Sequence, residues 1–255
     1  MMTTSLETFL LLSPEITLFL AALVAYFAAA FSGLRAGWLV AVIGLGVAIL
    51  ISGSQPDSGA SFLSGPITVD GFSFYIRILT YTTGLVLALI QSGDYWKAAT
   101  QEDNSPLRQR GTGEEAGTFL ILLTGLSLVG LANDLVLLFI GLELVSIPTY
   151  ILLSLKRTDA AGQESSLKYF FLSLIASAFF LYSVACLYGL GGSTSLLAIG
   201  NQIQSLGSIS LTTIEGSIAV GTITTSMAAV LLPVMLGTAL AGAAFRMAAV
   251  PMHFY

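Results

Sequence analysis

Long apolar runs separated by short polar breaks set the limits of what this chain can fold into. The runs are Phe9–Phe31, Ala36–Ser52, Phe72–Ser92, Gly117–Ala132, Leu135–Leu155, Ser166–Leu190 and a last stretch, Ile218–Tyr255. A helix of roughly 20 apolar residues crosses a bilayer core of about 30 Å. Barrel strands would be about 10 residues long with alternating polarity, a pattern these runs lack. The expected fold is therefore all-α, a polytopic transmembrane helical bundle of about seven spans. The first run has no basic segment before it and further spans after it, so it is not read as a cleavable signal.

Composition closes off the other classes. Charged residues make up 9% of the chain and hydrophobic residues 55%, with a mean hydropathy of +0.90. A soluble domain carries about 25% charged residues, so this chain cannot cover a globule in water. A cytosolic enzyme and a disordered scaffold are excluded. Nine basic residues, a net charge of −5 and a pI near 4.7 make no face for nucleic acid. One cysteine, Cys186, rules out a disulfide framework and any multi-cysteine metal or iron–sulfur site. A G-x-G-x-x-G after a strand, a Walker A motif and a histidine pair at haem spacing are all missing from the sequence.

The loops sort by charge. Arg35, Lys97, Arg108, Arg110, Lys156 and Arg157 fall in one alternate set; Gly53–Asp70, Asn133–Asp134 and Gly191–Ser217 hold no Lys or Arg. The positive-inside rule then places the basic loops inside and the N-terminus outside. Gly93–Ala116 reads as a solvated inner connector, and Gly191–Ser217 as a segment along the outer surface. Apolar sequence continues to Tyr255 without a polar stop, so the chain is expected to end within its seventh helix.

Ionisable groups at membrane depth cost at least ~2.5–3.5 kcal/mol on insertion scales, and each demands an account. Glu143 lies near the middle of the fifth run, with Ser146 and Tyr150 following on the same helical face. A low-dielectric site suits a carboxyl group to proton uptake and release. The alternative is a structural hydrogen bond between helices. Pro148, on the same helix, removes a backbone donor and predicts either a kink or a backbone-lined cavity. Lys168 follows Glu164 at i+4, which allows a helical ion pair and snorkelling. Arg246 ends a Thr238, Gly242, Arg246 face; it is a fixed charge and a poor proton relay, or else marks an inner helix end. Gly242 and Pro251 on either side of it suggest local unwinding. Arg77 is expected to snorkel or pair with a carboxylate, Glu15 to need no special role, and Cys186 to pack. His253, the one histidine, titrates in the range suited to proton exchange.

Three segments carry a resemblance. They are LANDLVLLFIGLELVSIPTYILLSL (Leu131–Leu155), SSLKYFFLSLIASAFFLYSVACLY (Ser165–Tyr188) and GAAFRMAAVPMHFY (Gly242–Tyr255). With the layout of spans, they resemble the antiporter-like subunit N family of bacterial NADH-quinone oxidoreductase (respiratory complex I) and its mitochondrial counterpart, the subunit 2 family. The resemblance is strong from about Gly117 onward and rests mainly on span count before that.

It implies that Glu143 and Lys168 belong to a proton half-channel. The family's G-F-K-x-x-x-V-P-F-H pattern puts a lysine where this chain has Arg246, with His253 following as in the pattern. That departure favours a fixed charge at Arg246, with protonation changes at Glu143, Lys168 or water. The family has about fourteen spans, with two inverted five-helix repeats. Residues 1–116 are accordingly read as helices 1–3 with an inner loop, and 117–255 as the first, incomplete half of the channel domain. A second chain completing the subunit and a truncation both fit this length.

The implied function is that of a non-redox membrane-arm subunit of a translocase, which couples electron transfer elsewhere to proton export. The isolated chain is expected to be inactive. It would hold no cofactor, with NADH, FMN, iron–sulfur clusters and quinone in partner subunits. Its partners would be other membrane-arm subunits and the lipid bilayer, without nucleic acid or a directly bound soluble substrate. The implied location is a bacterial inner membrane or the mitochondrial inner membrane. The alternatives are a subunit of a multi-chain cation/proton antiporter and a non-functional remnant.

Overall fold

The computed structural model describes residues 9–32, 37–55, 66–99, 106–156, 159–202 and 221–246. Seven helices are set out among them: α1 (Ser13–Ser32), α2 (Gly37–Ser54), α3 (Gly71–Ala99), α4 (Pro106–Leu131), α5 (Leu135–Lys156), α6 (Ala160–Gly191) and α7 (Gly221–Arg246). Isolated bridges pair Ile67 with Ala132 and Asp134 with Ser195. Six helices contain stretches long and apolar enough to cross a bilayer: Ser13–Ala30, Gly37–Ser54, Gly71–Gly93, Gly113–Leu131, Leu135–Leu155 and Ala160–Gly189. The apolar part of α7 among the described residues, Pro233–Phe245, is shorter. The all-α, polytopic expectation therefore holds.

The inner connector differs from expectation. Helix α3 runs on to Ala99 and α4 starts at Pro106, so most of Gly93–Ala116 is helical. Hydropathy marks where a helix leaves the membrane, not where it stops. Gln, Glu, Arg and Lys are good helix formers, and proline is tolerated at a first position, where its missing N–H would have had no helical partner. Helix α6 likewise begins at Ala160, ahead of the apolar run that starts at Ser166. In the Gly191–Ser217 stretch, residues 196–202 are helical, and 203–217 lie outside the described residues.

The chain divides into two compact units, Met1–Ala132 with Ile140–Ser166, and Asn133–Phe139 with Leu167–Tyr255. The first is built on helices that approach closely. Lipid is as apolar as leucine, so association in a membrane depends on van der Waals contact and hydrogen bonds, which favours small residues. Ala22, Ala25 and Ala29 line the buried side of α1. Gly113 and Gly117 of α4 meet them: a Cβ at Gly113 would fall 2.5 Å from the Ala29 Cβ, and one at Gly117 2.8 Å from the Tyr26 ring. The Tyr26 hydroxyl is 2.6 Å from Thr118 Oγ1 and ties the same pair of helices. Leu18, Trp38, Leu45, Tyr81, Leu120 and Leu123 fill the core around them. Phe19, Phe27, Ile43 and Leu50 point outward, as lipid-facing side chains should.

The second unit joins α6 to α7. Ser183 Oγ donates to the Met235 carbonyl at 2.6 Å, and the Phe179 and Phe245 rings stack at 6.2 Å. Helix α7 continues through Gly242 to Arg246. A Cβ at Gly242 would lie 2.8 Å from the Ala176 carbonyl oxygen, so this glycine serves close packing of an intact helix. The unwinding expected around Arg246, between Gly242 and Pro251, falls for residues 247–255 outside the described residues. At the start of α5, Asp134 accepts the Val136 N–H at 2.8 Å and the Thr194 hydroxyl. The Leu135 N–H donates to the Thr194 carbonyl and the Leu196 N–H to the Asn133 carbonyl, which fixes the 192–202 segment to this cap.

Candidate functional site

Glu143 sits eight residues after Leu135 and twelve before Leu155, at mid-span, and is half-buried. The backbone beside it is pressed against α4: a Cβ at Gly125 would lie 2.7 Å from the Leu144 carbonyl carbon. Its depth and rotation are therefore set by contact between two backbones rather than by side chains that can relax. Within the polar stripe, Ser146 Oγ donates back to the Leu142 carbonyl at 2.9 Å, and Thr149 Oγ1 to the Val145 carbonyl at 2.7 Å. Tyr150, two turns along, is within electrostatic reach of Glu143. Pro148 is buried inside α5 and has no N–H to give the Leu144 carbonyl.

Lys168 is exposed near the start of α6, one turn after Glu164. It belongs to the second unit, Glu143 to the first. The backbone of Arg246 closes α7 in the second unit, and His253 lies outside the described residues.

A further charged centre lies elsewhere in the first unit. Arg77 of α3 grips Glu15 of α1 with two bonds, Nε to Oε1 at 2.8 Å and Nη2 to Oε2 at 2.9 Å. Nη1 donates to the Gln55 side-chain oxygen at 2.9 Å, and Nη2 also to the Leu11 carbonyl at 2.7 Å. Glu15 Oε1 also accepts the Tyr81 hydroxyl at 2.9 Å and the Ser127 hydroxyl at 2.5 Å. Arg77 is 1% exposed and Glu15 3%.

Arg77 thus pairs with a carboxylate, one of the two outcomes its position allowed. Glu15 does not lack a role, as its sequence position suggested; it receives bonds from α3 and α4 at once. The sequence signal was the pair of opposite charges inside separate apolar runs, each too costly to stand alone. Spacing could not say that they meet. These bonds join α1, α3 and α4, so the centre holds helices together.

Three comparisons bear on this arrangement. The family described as NADH:quinone oxidoreductase/Mrp antiporter, TM, matches residues 132–255, the part that holds Glu143, Lys168 and Arg246. NADH-quinone oxidoreductase subunit N of Saccharopolyspora erythraea is 34% identical over 63% of this chain and 35% of its own length. The subunit of the same name from Erythrobacter litoralis is 29% identical over 96% of this chain and 46% of its own. A chain in the structure of respiratory complex I from Thermus thermophilus with bound aureothin superposes with a TM-score of 0.58 at 25% identity, covering 93% of this chain and 45% of that one. The chain spans between a third and a half of the length of these relatives. Residues 132–255 match the family described as NADH:quinone oxidoreductase/Mrp antiporter, TM, and the chain, a membrane protein by its six apolar helices, is similar along most of its length to part of subunit N of NADH-quinone oxidoreductase.

Proposed function

We propose that this chain serves as a non-redox membrane-arm subunit of a proton-translocating NADH-quinone oxidoreductase. The observation that carries the proposal is Glu143: a half-buried carboxyl group at mid-span, held by backbone contact, inside the stretch that matches the family. Glu143 is the proton-carrying group of this reading. Lys168 and Arg246 are the positive charges whose field sets its proton affinity, and His253 exchanges protons beyond Arg246. Charge movements in neighbouring subunits alter that field. Glu143 then loads a proton from the inner side and releases it as the positive charge returns. Arg246 keeps its charge throughout, because a guanidinium does not readily deprotonate.

Redox chemistry stays with partner subunits that carry NADH, FMN, iron–sulfur clusters and quinone. The partners are other membrane-arm subunits. The basic loops face the cytoplasm or matrix and the N-terminus faces the opposite side, in a bacterial or mitochondrial inner membrane. The domain division of the proposal assigns residues 1–116 to helices 1–3 and 117–255 to the proton-channel part.

The family description also covers Mrp antiporters, which favours a second reading as a subunit of a multi-chain cation/proton antiporter. An N-terminal tag in the native host, gentle solubilisation and a native gel stained for NADH dehydrogenase activity separate the two. The proposal predicts a tagged band within a large NADH-active assembly. A large assembly without that activity favours the antiporter, and a free monomer contradicts both.

A further inference from the structure

The first unit contains a groove of about 300 Å³ that opens at the basic-loop ends of its spans. Trp38 is the second residue of its span, Gln91 lies two residues before the end of the next, and Glu115 two residues into the one after. These three stand at the mouth. Phe119 and Thr149 each lie six residues inside the same ends of their spans. At a rise of about 1.5 Å per residue, that is about 9 Å in. Of the lining side chains only Leu153 is exposed; the others are buried or half-buried, so the walls are protein. One wall is fixed by Trp38, whose ring is tilted against Phe119 at 5.8 Å.

The groove is polar at both ends. Gln91 and Glu115 supply an amide and a carboxyl group at the mouth, and Thr149 supplies a hydroxyl at depth. Thr149 Oγ1 donates to the Val145 carbonyl at 2.7 Å, and a hydroxyl oxygen so engaged still accepts hydrogen bonds. The volume is several times the ~30 Å³ that one water takes in the liquid. Water is neutral, so it needs no uncompensated charge at Glu115, which has a partner within the protein. Nor do Arg35, Lys97, Arg108 and Arg110, at the same end of the spans, exclude it. Beyond Thr149, α5 carries Ser146 and then Glu143 at intervals of three residues. Side chains so spaced step round a helix by about 60° each, and Glu143 is about 9 Å further along the axis. Ser146, halfway between, is buried.

We propose that this groove, lined by α2, α3, α4 and α5, is the inner-side water entrance to Glu143. Water enters between Gln91 and Glu115 and reaches Thr149, and the Ser146 hydroxyl spans the remaining distance. Each oxygen along the file takes one proton from the inner side as it passes one on. The net change is one proton moved from inner water to the Glu143 carboxylate. The inference rests on the reading of Glu143 as the proton carrier and adds the route by which that proton arrives.

The test uses native membrane vesicles with the inner face outward, containing the assembled complex, in which Cys186→Ser removes the native thiol of this chain. A single cysteine is then placed by Thr149→Cys or by Ile43→Cys. Ile43 also lies six residues inside its span but points outward, so it reports on lipid at the same depth. A thiol reacts as its thiolate, which forms far more readily in water than in hydrocarbon. A small water-soluble methanethiosulfonate should therefore label Thr149→Cys about tenfold faster than Ile43→Cys. Labelling of Thr149→Cys should also lower the ratio of protons taken up to NADH oxidised, in step with its extent, relative to the same variant before treatment. Equal labelling rates would mean a groove filled by lipid and would overturn the proposal. Fast labelling with an unchanged ratio would make the groove a blind pocket and overturn it equally. Glu143→Gln, measured alongside, separates two failures. A parental ratio in that variant removes the destination and the proposal with it; a lowered ratio there, with none on labelling, removes the entrance alone.

Discussion

At the scale of single residues, the Glu15–Arg77 pair is the centre on which the first unit depends. Removing one member of a buried pair leaves an uncompensated charge in a medium that cannot solvate it, at a cost of about 3–5 kcal/mol. Arg77→Leu and Glu15→Leu should each destabilise the solubilised protein by that order, read as a large drop in thermal midpoint. The double variant, apolar at both positions, should recover most of the loss, since matched apolar replacements of buried pairs are often neutral or better. A double variant no better than the worse single would contradict the pairing. Part of this centre was legible in the sequence. An arginine six residues into an apolar run demands a partner on energetic grounds alone. Choosing Glu15, which lies 62 positions away, needs the fold, because contact between non-adjacent helices leaves no periodic trace in one sequence.

At the scale of elements, helix starts respond to local chemistry that hydropathy does not register. Asp70 caps α3: its Oδ1 accepts the Ser73 N–H at 2.8 Å, while the Asp70 N–H donates to Ser73 Oγ at 2.8 Å. The backbone N–H of Ser73 holds the Asp70 carboxyl below its ordinary value. A depressed carboxyl group stabilises the fold above its unfolded-state value and loses that contribution as pH falls through the folded-state value. Asp70→Ala should therefore cost about 1 kcal/mol at neutral pH, the usual worth of such a cap. The difference from the parent protein should shrink below about pH 4, where the carboxylate protonates. Thermal melts of the two proteins at neutral and acidic pH measure it; a constant difference would contradict the charge-dependent cap.

The same limit of hydropathy explains why α3, α4 and α6 outrun their apolar segments: their polar turns are helix-compatible yet carry no membrane signal. The small-residue contact of Gly113 and Gly117 with α1 was present in the sequence as a glycine pair at i+4, split between the connector that its charges marked as loop and the first residue of the next apolar run.

At the scale of the whole molecule, the apolar runs and low charge sufficed for the all-α membrane fold, because few other structures satisfy a backbone in lipid. Position along α5 sufficed to single out Glu143. The joint role proposed for Glu143, Lys168, Arg246 and His253 rests on resemblance, since depth in a membrane shows where a charge is costly and not where a proton goes next.

The central claim is that Glu143 carries the proton. The most direct measurement compares Glu143→Gln with the parent chain in the assembled complex, reconstituted in proteoliposomes, with NADH oxidation and proton uptake followed together. Glutamine keeps the shape and hydrogen-bonding capacity of the side chain but removes the titratable group. The account predicts an intact assembly in which proton translocation attributable to this subunit is abolished. Translocation at the parental level in a fully assembled Glu143→Gln complex would contradict it.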